Sequence, residues 1–139
     1  MVGADKLKLK GKIEEFYKEL IPILQRYPKT QRYTLAENIE KETLKCVRLV
    51  FEAEYNKQRR VEVLKSLRTS LHLITFLLRI SKRSSFIKEG IYEKLVRDTS
   101  EMGRITSVWI KREMSPNEST QNVPTQTKKK EKMEQQALL

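Results

Sequence analysis

From Arg59 to Lys82 the apolar residues Leu64, Leu67, Leu71, Ile74, Leu77 and Leu78 recur with the period of one helix face, and no Gly or Pro interrupts them. A pattern sustained over that length predicts a long amphipathic α-helix. Three more stretches carry it. The first runs from about Leu9 to Tyr27 through Ile13, Phe16, Tyr17, Leu20, Ile23 and Leu24, with Pro22 expected to kink or split it. The second opens at Thr34, where Glu37 completes a capping box, and continues to about Tyr55 through Leu35, Ile39, Thr43, Cys46, Val47, Val50 and Phe51. The fourth, about Lys88 to Lys111, repeats Leu95, Met102 and Trp109 at heptad spacing, with Ile91, Thr99 and Ile105 in support.

The connectors Pro28–Tyr33, Asn56–Gln58 and Ser84–Phe86 are short, which makes consecutive helices antiparallel neighbours. Four Gly and four Pro in 139 residues also speak against a sandwich or barrel. The expected fold is therefore all-α, an up-down antiparallel four-helix bundle over residues 1–113. Residues 114–139 change texture. Ser115 to Thr120 holds no apolar side chain and Lys128-Lys129-Lys130 follows a Gln/Thr stretch, so a disordered polar and basic tail is expected.

Charge is unevenly spread. Between Lys57 and Arg83 stand Lys57, Arg59, Arg60, Lys65, Arg68, Arg79, Lys82 and Arg83 against Glu62 alone, eight cations less one acid, a net +7 of the formal +11. At about 100° per position, Lys65, Arg68, His72, Arg79, Lys82 and Arg83 fall within roughly a quarter turn, away from the Leu/Ile stripe and beside Phe76. Such a ridge can neutralise successive phosphates without reading sequence. A merely solvated face is the plainer explanation, and the lack of compensating acids together with a pI near 9.8 argues against it. Glu37, Glu40, Glu42, Glu52 and Glu54 on the second helix leave open a third role, in which acidic and basic faces of neighbouring subunits meet. Arg26, Tyr27, Lys29, Arg32 and Tyr33 form a second basic and aromatic cluster, suited either to stacking bases or to plugging the bundle end.

No constellation for catalysis stands out. One histidine, His72, gives no metal cluster and one imidazole; among the cations it can touch phosphate or be an ordinary surface residue. Cys46, the single cysteine, sits on a core stripe and permits no intrachain disulfide, which suits a reducing compartment. No Gly-rich phosphate loop or nucleophile elbow is present. The expectation is a non-enzymatic protein without cofactor or metal. The N-terminus alternates Lys and Leu without an apolar block, and Leu71–Leu78 falls short of the ~20 residues of a membrane span. A cytoplasmic protein without a membrane partner is expected.

Glu101-Met102-Gly103-Arg104-Ile105 followed by Trp109-Ile110-Lys111, with Pro28-Lys29 and Tyr33-Thr34-Leu35 opening the second helix, resembles a four-helix-bundle family. That family includes the accessory variability determinant (Avd) proteins of diversity-generating retroelements and the proteins encoded in intervening sequences of 23S ribosomal RNA genes. The likeness spans about Phe16 to Arg112 and departs at Thr106-Ser107-Val108. It implies a homopentameric assembly, association with a reverse transcriptase, and binding of template RNA or cDNA in support of mutagenic cDNA synthesis. The ribosomal branch implies the same bundle without a polymerase partner, and a purely structural oligomer is the remaining alternative. The nucleic-acid-binding candidates are Arg59, Arg60, Lys65, Arg68, His72, Arg79, Lys82 and Arg83. Gly103, Arg104, Trp109 and Lys111 are the motif or interface candidates. Gly103 is placed to permit close helix approach, Arg104 to meet a subunit or ligand or simply solvent, and Trp109 to fill the core or an interface.

Overall fold

Four long helices carry the chain in the computed structural model, which describes residues 2–115, with side chains from residue 6 on. They are α1 (Val2–Gln25), α2 (Glu37–Tyr55), α3 (Arg60–Arg83) and α4 (Glu89–Met114). Each packs on two others, α1 on α2 and α4, and α3 on α2 and α4, which closes a square bundle. Side-chain contacts fix the directions. Lys10 meets Glu54 and Tyr17 meets Glu40, while Arg68 meets Ser107 and Thr75 meets Thr99, so the sequence numbers run oppositely across each of these two pairs. This is the up-down antiparallel arrangement expected from the short connectors. From Pro116 on, the tail expectation lies outside the described residues.

The apolar stripes meet in one core, with Phe16, Leu20, Ile39, Leu64, Leu67, Ile74, Leu78, Leu95, Met102 and Trp109 almost wholly buried. Phe51 departs from its predicted stripe. It is 45% exposed, while Leu49 and Ala53 are buried on its helix instead. The reason is rotational: Phe51 lies on the α1-facing flank of α2, where Lys10 caps its ring at 4.7 Å.

Three local expectations are corrected. Helix α1 begins at Val2 rather than near Leu9, because Leu9 is buried and Lys6 and Lys10, one turn apart, both reach Glu54 on α2 at 3.2 and 2.8 Å. Pro22 does not split α1, which continues to Gln25. The missing N–H removes a bond to the Lys18 carbonyl, and both residues lie on an exposed stretch where water can serve that carbonyl. The Thr34 capping box does not form. A helical turn at Lys29–Gln31 leads directly into a π-helical turn, Arg32–Ala36, and the Thr34 hydroxyl bonds back to Gln31 instead. Tyr27, in the intervening bend, is buried against Phe86 with ring centroids 5.7 Å apart and plugs this end of the bundle, whereas Tyr33 is 79% exposed.

Candidate nucleic-acid interface

The cations of α3 divide by where the helix aims them. Arg60 points inward. Its Nε and Nη2 donate to the carbonyls of Ala53 and Glu54, and its Nη1 lies 3.4 Å from Glu113 on α4, with the side chain only 13% exposed. Ala53 and Glu54 stand in the last turn of α2, where carbonyls lack helical partners and the helix dipole favours a cation. Arg60 is therefore a staple of the fold. Lys82 is also occupied, 3.6 Å from Glu89 and 4.9 Å above the Tyr92 ring. Arg59 pairs with Glu62 one turn on, at 3.2 Å.

Lys65, His72, Arg79 and Arg83 remain exposed, and among the described residues no carboxylate pairs with any of them. Arg79 lies over the half-exposed Phe76 ring at 5.8 Å. Leu73 and Ile80 flank Phe76 on the same outer face, so the strip is cationic with an apolar seam. Arg68, read from sequence as part of the outer ridge, is half-buried between α3 and α4, where Nη1 donates to Ser107 Oγ at 3.3 Å. The ridge is thus narrower than the residue count promised. Among the described residues four side chains have no carboxylate partner, a fifth is sunk beside them, and Arg59, Arg60 and Lys82 are ion-paired.

The acidic flank of α2 is largely consumed within the chain. Glu37 pairs with Lys41, Glu40 accepts from Tyr17, and Glu54 takes both Lys6 and Lys10. Lys10 first, then Lys6, hold the Glu54 carboxyl below its ordinary range.

The motif candidates of α4 fall in different places. Trp109 is wholly buried, its Nε1 without a partner among the described residues, and belongs to the core. Lys111 is exposed. Arg104 is exposed and paired with Glu101, whose carboxyl it holds down. Gly103 does not serve close helix approach: a Cβ built there meets no atom within 4 Å. Instead Gly103, Ser107 and Thr99 line a groove on the α3 side with Arg68, His72 and Arg104. The sequence did carry its signal, in small residues at Thr99, Gly103 and Ser107, four apart on one helix face.

Cys46 is buried beside Ser70, and burial pushes its thiol up to about 12, which leaves it unreactive. Among the described residues, no group of three His, Cys, Asp or Glu side chains is placed to hold a metal ion. Nor is any described helix long and apolar enough to cross a membrane.

Fold and surface together define an up-down four-helix bundle whose third helix presents cations that no carboxylate pairs among the described residues. More specifically, residues 7–113 match the family described as bAvd-like, and the chain belongs to that family. A similar solved structure is a protein of unknown function from the S23 ribosomal protein family of Bacteroides thetaiotaomicron VPI-5482. It is 17% identical, with a TM-score of 0.70 over 77% of this chain and 98% of that one, a likeness of fold. A search of curated proteins found no match to the chain.

Proposed function

We propose that this chain is a non-enzymatic accessory protein that binds template RNA or cDNA along the outer face of α3 and assists a reverse transcriptase as a homopentamer. One observation carries the nucleic-acid part: Lys65, His72, Arg79 and Arg83 stand exposed on one helix without a carboxylate partner among the described residues. Membership of the bAvd-like family supports the polymerase and assembly parts. Repeating the strip around a ring multiplies weak phosphate contacts by raising effective concentration.

The test is a salt-titrated filter-binding assay on the Lys65→Ala/Arg79→Ala/Arg83→Ala variant. Loss of three phosphate contacts is expected to shallow the log–log salt slope by about 2 on single strands, with helicity unchanged. An unaltered slope and affinity would sink the assignment.

The likeness to an S23-family fold supports a second reading, the ribosomal intervening-sequence branch without a polymerase partner. Flanking genes discriminate: a reverse-transcriptase gene with template and variable repeats favours the first. Self-assembly through opposed acidic and basic faces draws less support, since the α2 acids Glu37, Glu40 and Glu54 are already engaged within the chain.

A further inference from the structure

Between α3 and α4 lies a groove of about 420 Å³, lined by no carboxylate among the described residues. Arg68 and His72 enter it from α3, and Arg104 and Ser107 from α4. We infer that this groove seats a single phosphoryl group, held between the Arg68 and Arg104 guanidinium groups with the Ser107 hydroxyl beside them. The inference rests on the reading that α3 meets nucleic acid, and moves its most specific contact from the open ridge into this cleft.

Three observations point there. Arg68 is drawn partly out of water, yet its one bond among the described residues goes to a neutral hydroxyl, Ser107 Oγ. A guanidinium has five donors and, once partly desolvated, gains most from a bidentate oxyanion. Second, the Thr75 and Thr99 hydroxyls meet across the floor at 2.7 Å, which sets polar groups beside Leu71 in an otherwise mixed lining. Third, Gly103 stands between Thr99 and Ser107 on the same face of α4, in mid-helix, and no packing contact requires its missing side chain. Glycine there weakens the helix; what its bareness provides is the open groove. Arg104 lines the groove while its Nη2 donates to Glu101, which lies outside the lining, so a phosphoryl group bound there shares this guanidinium with a carboxylate.

The test uses the full chain, with Gly103→Leu as an occluding variant and Gly103→Ala as its control. Both substitutions are expected to melt at or above wild type in chloride, because each replaces a mid-helix glycine. Inorganic phosphate, titrated against chloride at matched ionic strength, is expected to raise the melting temperature of wild type and of Gly103→Ala. In Gly103→Leu the apparent dissociation constant for phosphate should weaken by about tenfold or more.

Oligothymidylate with a 5′-phosphate or a 5′-hydroxyl then assigns the source. An advantage of the phosphorylated strand that Gly103→Leu erases identifies a terminal phosphate. Equal weakening of both strands identifies a backbone phosphodiester. Phosphate sensitivity without an effect on either strand identifies the free anion. A wild type indifferent to phosphate, or a phosphate response undiminished in Gly103→Leu, overturns the proposal. The triple ridge variant judges the wider nucleic-acid reading separately, because its three residues lie outside the groove.

Discussion

Replacing Arg60 by Ala separates what charge counting suggests from what the bundle does with the charge. By composition Arg60 belongs to the cationic set, but its guanidinium binds two terminal carbonyls of α2 and approaches Glu113 of α4. Each bond to a charged group is worth about 1.5–3 kcal/mol net. The two carbonyls sit at a helix end where water can partly replace the lost donor, and the Glu113 contact is long, so about 2–3 kcal/mol in total is expected.

For a bundle of this size that lowers the melting temperature by roughly 6–12 °C. The assay is urea denaturation followed by far-ultraviolet circular dichroism at one fixed protein concentration, because assembly makes stability concentration-dependent. An unchanged denaturant slope with a lower midpoint is the expected form. Arg60→Lys keeps the charge without the planar fork and should recover less than half of the loss. In the same preparation, the salt slope of nucleic-acid binding should match wild type. The reasoning fails if Arg60→Ala lies within about 0.5 kcal/mol of wild type, or if it flattens the salt slope as an Arg79 substitution does.

Two further outcomes follow from the contacts. The Tyr27 hydroxyl is buried beside Ser81, whose own hydroxyl donates to the Leu77 carbonyl, and among the described residues it makes no hydrogen bond of good geometry, so Tyr27→Phe removes a poorly met polar group. It is expected to be neutral or to stabilise by up to ~1 kcal/mol in urea denaturation; a clear loss of stability would show that the hydroxyl is engaged. Glu54, held down by Lys10 and Lys6, contributes stability above the ordinary carboxylate value of 4.5, and that contribution is lost as pH falls through its lower folded value. Glu54→Gln should therefore melt below wild type at neutral pH, with the gap closing in acid; a gap constant from neutral pH into acid would refute the pairing.

Much of the architecture was legible in the residues. The 3.6-residue stripes and the short Asn56–Gln58 and Ser84–Phe86 connectors dictate the helices and their antiparallel order, since an apolar stripe must be buried and a tight turn permits only a neighbour. The local failures have different causes. The Thr34–Glu37 capping box loses to a local alternative, a π turn that continues from Lys29–Gln31 and lets the Thr34 hydroxyl bond back to Gln31, whereas the early start of α1 is tertiary, with Lys6 and Lys10 both reaching Glu54.

The cationic surface was legible only as a quantity. Sequence determined how many positive groups α3 carries and on which arc, because helical period sets angle. It did not determine which of them are free. That depends on what the neighbouring helices place opposite each side chain: carbonyls and Glu113 opposite Arg60, Glu89 and Tyr92 opposite Lys82, Ser107 opposite Arg68, and, among the described residues, no acceptor opposite Lys65 or Arg83. Long flexible cations reach several ångströms and take the nearest acceptor, and only the packed bundle says which acceptor is near.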